Sequence, residues 1–155
     1  MSSKKFQEFI DKENIKIKII ESREKTHTAQ QAAEVHNVPI GNIVKSILVK
    51  IDNEFILFLV PGDKRIDLEE KKKLFNTNEC RIANANEVKE VTDYSIGGVP
   101  PFGHKEKIKT YIEEGFDRNK SLLAAAGSPN SMFKISFRKL EKIISKPHAK
   151  FNLEN

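Results

Sequence analysis

The sequence has little of what small extracellular or metal-dependent proteins use for stabilisation. Its 155 residues include a single cysteine, Cys80, and no tryptophan. One cysteine excludes an intramolecular disulfide and a four-cysteine zinc site, and the four scattered histidines show no zinc-ligand spacing. A chain of this length buries roughly 70% of the surface that its unfolded state exposes, so it can fold without disulfides or a structural metal. We therefore expect one domain over residues 1–155, with no metal and no cofactor.

Long apolar stretches are also missing. The longest run, Phe55–Val60, is far shorter than the roughly 20 residues of a transmembrane helix. The first ten residues lack the apolar region of a signal peptide. Together with the single cysteine, this predicts a cytoplasmic protein with no membrane partner. The 27 basic and 22 acidic residues leave a net charge of +5, which permits a polyanionic partner without requiring one.

Helical and strand patterns alternate irregularly along the chain. Thr28 and Gln31 form a capping-box pattern, which predicts a helix over residues 29–37. Further helices are expected at 3–12, 67–75, 84–91 and 137–144, and strands at 15–20, 43–51, 55–60, 81–83, 108–112, 121–126, 132–135 and 150–153. The short turn after residue 51 predicts a hairpin. This order favours a mixed α/β fold, with a mixed sheet flanked by helices, over a doubly wound parallel sheet.

Lys45 is the first candidate functional residue. It is the one charge in the row Ile43, Lys45, Ile47, Val49 and Ile51, whose side chains share a face of the predicted strand. A lysine in such a row reaches solvent, pairs with an anion or lines a cavity. A strand-end lysine that extends into water and a fixed cation in a phosphate-binding pocket are both open.

Two small-residue segments are the next candidates. The loop Gly97–His104 combines paired glycines with paired prolines. Glycine lets a backbone approach a ligand closely, and proline fixes the loop. The amides of Gly98, Val99, Phe102 and Gly103 could then donate hydrogen bonds to an oxyanion. The segment Ala124–Asn130 ends in a Gly-Ser-Pro-Asn turn. A plain rigid turn remains the alternative for both segments.

These segments, in this order, resemble the YbaK / prolyl-tRNA synthetase-associated editing domain family of aminoacyl-tRNA deacylases. The matching residues lie in Thr26–Thr28, Val44–Ile47, Gly97–His104 and Ala125–Asn130. The resemblance implies a curved mixed sheet or partial barrel with surrounding helices. It also implies hydrolysis of the ester that joins a wrong amino acid to tRNA, several members acting on tRNA(Pro) that carries alanine or cysteine. With no synthetase core in the sequence, the chain resembles the free-standing, trans-acting members.

The resemblance also assigns roles to residues. It implies a catalytic set of Lys45, Gly97, Gly98, Val99 and Pro101. It implies substrate contacts from His27, Thr28, Pro100, Phe102, Gly103, His104, Gly127 and Ser128. Pro100-Pro101 replaces the Ser-Pro of many members, and Gly-Ser-Pro-Asn replaces their Gly-His-Arg or Gly-Lys-Arg.

The mechanism implied by the resemblance needs no protein nucleophile. The ribose hydroxyl beside the ester helps to activate water, a backbone donor stabilises the oxyanion, and Lys45 holds the acceptor end. The expected partner is the aminoacyl-tRNA acceptor end, an aminoacyl-tRNA synthetase is a further candidate, and we expect a monomer or weak dimer. A non-catalytic module that binds RNA or a nucleotide, and a hydrolase or transferase acting on another small ester, remain as alternatives.

Overall fold

Helices and a mixed sheet build residues 2–145, the part of the chain that the computed structural model describes. The α-helices span Ser2–Lys12 (α1), Ala29–His36 (α2), Leu68–Leu74 (α3), Ala85–Thr92 (α4) and Phe137–Ser145 (α5). The strands span Ile19–Glu21 (β1), Ile43–Ile51 (β2), Glu54–Pro61 (β3), Cys80–Ile82 (β4), Lys109–Ile112 (β5), Ser121–Ala125 (β6) and Ser131–Ser136 (β7). A short 3-10 turn covers Ile40–Asn42. The strand expected at 150–153 lies outside the described residues.

The sheet is mixed, as expected from the sequence, and is not closed into a barrel within the described residues. Its strand order is β1-β7-β6-β2-β3-β5, and β4 pairs with β2 beside this path. The β2–β3 hairpin and the β6–β7 pair are antiparallel, whereas β2 pairs with β6 and β3 with β5 in parallel. Because β3 is central, it is buried on both faces from Ile56 onward.

One edge of β2 is shared by two different strands. At its start, Ile43 and Val44 pair with Leu123 and Ala124 of β6. At its end, residues 49–51 pair with β4. The middle of β2 therefore has no strand beside it on this edge, and the sheet opens between β2 and β6 beyond Val44.

Capping side chains fix where the predicted helices begin. The Thr28 hydroxyl accepts a hydrogen bond from the Gln31 N–H at 3.1 Å, and Asp67 and Asn84 cap α3 and α4 in the same way. Such caps satisfy backbone donors that the first helical turn leaves unpaired. The helices expected from these signals are confirmed within one or two residues at each end.

The main core fills the space between the sheet and helices α1, α4 and α5. Three aromatic rings form its centre, with Phe6 and Phe133 at 5.2 Å between centroids and Phe102 at 5.7 Å from Phe133. A smaller cluster between α2 and the sheet contains Ala32, Ile43 and Met132. The alanines of α2 allow its close approach to β2, as the sequence pattern indicates.

The strand expected over residues 15–20 is much shorter in the structure. Only Ile19–Glu21 pair with β7, and residues 15–18 have no regular structure. Ile15 and Ile17 nevertheless pack against the main core. Their alternation with lysine therefore reports which side chains face the core, not a paired strand.

Candidate active site

A cavity of about 450 Å³ lies where β2 and β6 separate, with α2 on one side and the glycine–proline loop on the other. Lys45, His27, Thr28, Gly97 and Val99 all line it. Ligand sites in α/β sheets favour such places, where parallel strands diverge beyond their pairing. The structure thus brings residues from three distant segments together around one opening.

Lys45 is half-buried at this cavity, and its ammonium group donates a hydrogen bond to the backbone carbonyl of Lys64. Partial burial lowers the pKa of Lys45, and the nearby charge of Arg65 lowers it further, whereas the Asp63 carboxylate raises it. The Lys45 side chain is therefore held by the loop after β3 instead of extending freely into water. The fixed-cation interpretation fits this placement better than a solvated strand end.

The α2 side of the cavity is anchored to the turn after β6. Thr26 is buried, and both its N–H (2.7 Å) and its hydroxyl (3.1 Å) donate to the Pro129 carbonyl. The side chain of Gln31 accepts a hydrogen bond from the His27 N–H at 2.8 Å. In a regular capping box it would accept from the N–H of the next residue, Thr28. These bonds place His27 and Thr28 at the rim of the cavity.

The glycine–proline loop comes very close to the turn after β6. A Cβ atom on Gly98 would lie 2.9 Å from the backbone N of Ser128, and Gly97 has φ +90°. A side chain at position 98 would therefore push the two loops apart, and one at position 97 would strain the backbone. Both glycines are required by local geometry.

The amides of this loop differ in their availability. The Gly98 N–H donates to the Ser95 carbonyl at 2.9 Å, so the expectation that it is a free donor is wrong for this conformation. The Val99 N–H has no hydrogen-bond partner among residues 2–145, and Val99 lines the cavity. Val99 is thus the better placed backbone donor for a negatively charged oxygen.

The turn after β6 is held by its own side chains. The Ser128 hydroxyl lies 2.7 Å from the Ser131 hydroxyl and donates to Asn130 Oδ1 at 3.0 Å. Asn130 in turn donates to the Ser22 carbonyl at 3.1 Å. Gly127 has φ +109°. The turn therefore supports both the loop at Gly98 and the segment that leads to His27.

The second half of the loop points elsewhere. Pro101, Phe102, Gly103 and His104 line a separate cavity of about 320 Å³ beside α1 and α5, and Phe102 belongs to the aromatic core. His104 Nε2 lies 2.7 Å from the Pro100 carbonyl oxygen, and burial lowers the pKa of His104 to about 4. The structure thus places these residues behind the site, where they fix the shape of the loop.

Other lining residues could not be identified as such from the sequence. Ala29, Ala32, Ile40, Ile43 and Met132 form an apolar wall, and their helical or strand spacing indicates only burial. Gly62 also lines the cavity. A Cβ atom at this position would lie 2.3 Å from the Ile40 carbonyl oxygen, so the backbone here requires glycine. The Pro-Gly pair at the end of β3 is the signal that could have drawn attention to this position.

The Ser46 hydroxyl, beside Lys45, is buried without a hydrogen-bond partner among residues 2–145. Within the same range, no three His, Cys, Asp or Glu side chains cluster closely enough to bind a metal ion. None of the helices described there has the length and apolar character to cross a membrane. The cavity therefore offers a fixed cation, backbone N–H groups without a partner among residues 2–145, and an apolar wall.

Comparisons with known proteins agree with this arrangement. The model of the aminoacyl-tRNA editing domain family matches residues 23–143. The uncharacterized protein YwhH of Bacillus subtilis (strain 168) is 32% identical over 116 residues, which cover 74% of this chain and 73% of YwhH. A crystal structure of a candidate trans-editing enzyme for prolyl-tRNA synthetase superposes with a TM-score of 0.82 at 32% identity, covering 90% of this chain and 88% of that one.

A proline–tRNA ligase of Thermosipho africanus (strain TCF52B) is also similar, with 33% identity over 96 residues. These residues cover 62% of this chain but 17% of the ligase. The similarity to this ligase is therefore confined to a small part of its length.

Proposed function

We propose that this chain, which belongs to the aminoacyl-tRNA editing domain family, hydrolyses the ester bond of misacylated tRNA in trans, in the cytoplasm. The observation that carries the proposal is one cavity lined by both half-buried Lys45 and Val99, whose N–H has no partner among residues 2–145. An aminoacyl ester at the end of an RNA presents a phosphate, a ribose and a carbonyl that becomes an oxyanion. A cation and a backbone donor match these groups.

In the proposed mechanism, the protein positions the substrate and water attacks the ester carbonyl. The neighbouring ribose hydroxyl helps to activate the water, the bond to the ribose oxygen breaks, and that oxygen takes up a proton. The Val99 N–H stabilises the oxyanion, and Lys45 holds the terminal phosphate or ribose. Fixed donors of this kind cost little reorganisation during the reaction.

The apolar wall suggests the size of the amino acid. Ala29, Ala32, Ile43 and Met132 leave no charged partner on this side of the cavity, so a small uncharged side chain fits best. We propose alanine or cysteine on tRNA(Pro), in line with the similarity to prolyl-tRNA ligases. Larger side chains would be excluded by size, as in the second sieve of a double-sieve system.

The remaining predicted residues take two kinds of role in this proposal. His27 and Thr28 contact the substrate from the rim, and Gly97 and Gly98 allow the loop to approach it. Gly127 and Ser128 support the loop from behind, at Gly98. Pro100, Pro101, Phe102, Gly103 and His104 act through the shape of the loop, because the structure places most of them against a separate cavity and the core.

A deacylation panel tests the proposal. The purified protein is incubated with Ala-, Cys-, Ser- and Pro-tRNA(Pro), and the loss of each ester is compared with the uncatalysed rate. We expect faster hydrolysis of at least the alanyl or cysteinyl ester, with prolyl-tRNA spared. Binding of tRNA without acceleration on any of the four esters would instead identify a non-catalytic RNA-binding module.

A further inference from the structure

A second cleft of about 590 Å³ opens on the other side of the loop that follows β3. We call it the β5 cleft; its lining residues include Phe58, Phe75 and Tyr111 together with Lys64, Arg65 and Glu114. Its volume lies within the range of small-molecule sites. The proposed mechanism does not involve these side chains, and none of them lines the cavity at Lys45. Of the six, Arg65 acts on that cavity only through its charge, which lowers the pKa of Lys45.

Tyr111 forms an aromatic platform in this cleft. Its ring is stacked against Phe58, with 5.8 Å between centroids and an interplanar angle of 23°, and Phe75 meets it edge-on at 6.3 Å. Phe58 is buried, whereas Tyr111 is 44% exposed although it lies on a strand. A tyrosine that is fixed from one side and open on the other presents a flat surface for stacking a planar group.

The β5 cleft and the cavity at Lys45 share a single short loop. Gly62 lines the cavity and Lys64 lines the cleft, and two residues span at most about 7 Å. The same loop is tied to the catalytic candidate, because the Lys45 ammonium donates to the Lys64 carbonyl. The cavity and the cleft are therefore neighbouring openings, close enough for one chain molecule to reach both.

Two of the cations along this path are available to contact phosphates. Among residues 2–145, the side chains of Lys64 and Arg65 have no ion-pair partner. Lys71 is different, since it is buried and held by Glu70 at 2.8 Å and Glu113 at 2.7 Å. The lining thus carries three cations and three carboxylates, and within residues 2–145 Lys64 and Arg65 are the two cations that no carboxylate pairs.

We propose that the β5 cleft binds a nucleobase from the 3′ strand of the tRNA, stacked on Tyr111, while Lys64 and Arg65 contact the adjoining phosphates. This inference rests on the proposed function, because it places the nucleotides that precede the aminoacylated one. Aromatic platforms flanked by cations are the usual means of holding single-stranded RNA without reading its sequence. The cleft supplies affinity for the RNA, and the cavity supplies the chemistry.

The test compares binding and hydrolysis in matched variants. Binding of uncharged tRNA(Pro) is measured for the wild type, Tyr111→Ala and Tyr111→Phe, with Lys18→Ala as a control at the opposite edge of the sheet. Stacking on an aromatic side chain predicts a Kd about tenfold higher for Tyr111→Ala. Tyr111→Phe keeps the ring and stays within about twofold of the wild type, as does Lys18→Ala.

Hydrolysis gives a second readout that separates this inference from the proposed function. We expect Tyr111→Ala to lower the ratio of kcat/KM for alanyl-tRNA(Pro) to that for alanyl-adenosine, which lacks the preceding nucleotides. If the wild type hydrolyses neither ester but Tyr111→Ala still weakens tRNA binding, the proposed function fails and the cleft assignment stands. If the wild type hydrolyses both and the ratio and Kd are unchanged in Tyr111→Ala, the cleft assignment is overturned and the function stands.

Two further variants remove charged side chains from the β5 cleft. Lys64→Ala should reduce the slope of log affinity against log salt by about one, the value for one phosphate contact. Glu114→Gln removes the opposing carboxylate from an exposed position, so it should tighten tRNA binding without affecting the core. Unchanged affinity and salt slope in both variants would contradict the proposed phosphate path.

Discussion

The side-chain ammonium of Lys45 is bound to the backbone carbonyl of Lys64, nineteen residues further along the chain. This bond connects the β2 strand to the loop after β3 and orients the cation at the cavity wall. Arg65 and Asp63, on either side of Lys64, act on the pKa of Lys45 in opposite directions. The pKa of Lys45, which burial lowers first, is therefore adjusted by the loop that also borders the β5 cleft.

The first prediction concerns pH. If the charged form of Lys45 is required, activity declines as pH rises through its pKa, which is lower than that of an ordinary lysine. Asp63→Asn removes the charge that raises this pKa, so the alkaline limb of kcat should move to lower pH. Single-turnover deacylation, corrected for uncatalysed hydrolysis, measures the shift. Glu8→Gln, an exposed carboxylate on α1, is the matched control, and an identical shift in both variants would contradict the assignment.

The second prediction concerns the contact between the two loops. Gly98→Ala places a methyl group 2.9 Å from the Ser128 backbone, and overpacking against backbone costs about 1–3 kcal/mol. We expect lower stability and a loss of deacylation, because Val99 moves with the loop. Gly41→Ala is the control, since its Cβ meets the flexible Asp63 side chain at 3.3 Å. Equal activity in the two variants would show that the loop position does not matter.

Much of this fold could be predicted from the sequence, because its local signals agree with the final structure. Thr28 and Asn84 cap helices as their patterns indicate, and the hairpin turns at Asp52, whose φ is 55°. The strand at Ile15 could not be predicted correctly, since alternation reports burial and not pairing. Whether a strand pairs depends on partners far away in the chain.

The candidate site was predictable in part, for a related reason. Lys45, Gly97 and Val99 belong to patterns that stand out locally, and the structure brings them together. Phe102 is only three residues from Val99, yet it lines a separate cavity. Residues that are close together in a loop can therefore line different cavities. The apolar wall of the cavity has the same residue types as ordinary core, so composition could not reveal it.

The third prediction concerns acid stability. Burial lowers the pKa of His104 to about 4, so the folded protein resists protonation that the unfolded chain accepts near pH 6.5. The free energy of unfolding should therefore fall as pH drops from about 6.5 to about 4, by on the order of 3 kcal/mol from this group. Denaturant unfolding of the wild type and of His104→Gln is measured across this pH range. The difference between the two profiles isolates His104, because the carboxylates titrate in both proteins. Parallel pH profiles would contradict a His104 that stays neutral in the folded protein.

The central claim is that Lys45 acts on an aminoacyl-tRNA ester, and single-turnover deacylation of alanyl-tRNA(Pro) by Lys45→Ala tests it most directly. We expect a rate about 100-fold lower with a thermal midpoint close to the wild type, because the variant removes a positioning cation and no core contact. Lys45→Arg should restore the rate only in part, since a planar guanidinium differs in shape from an ammonium. A wild-type rate in well-folded Lys45→Ala would contradict the account.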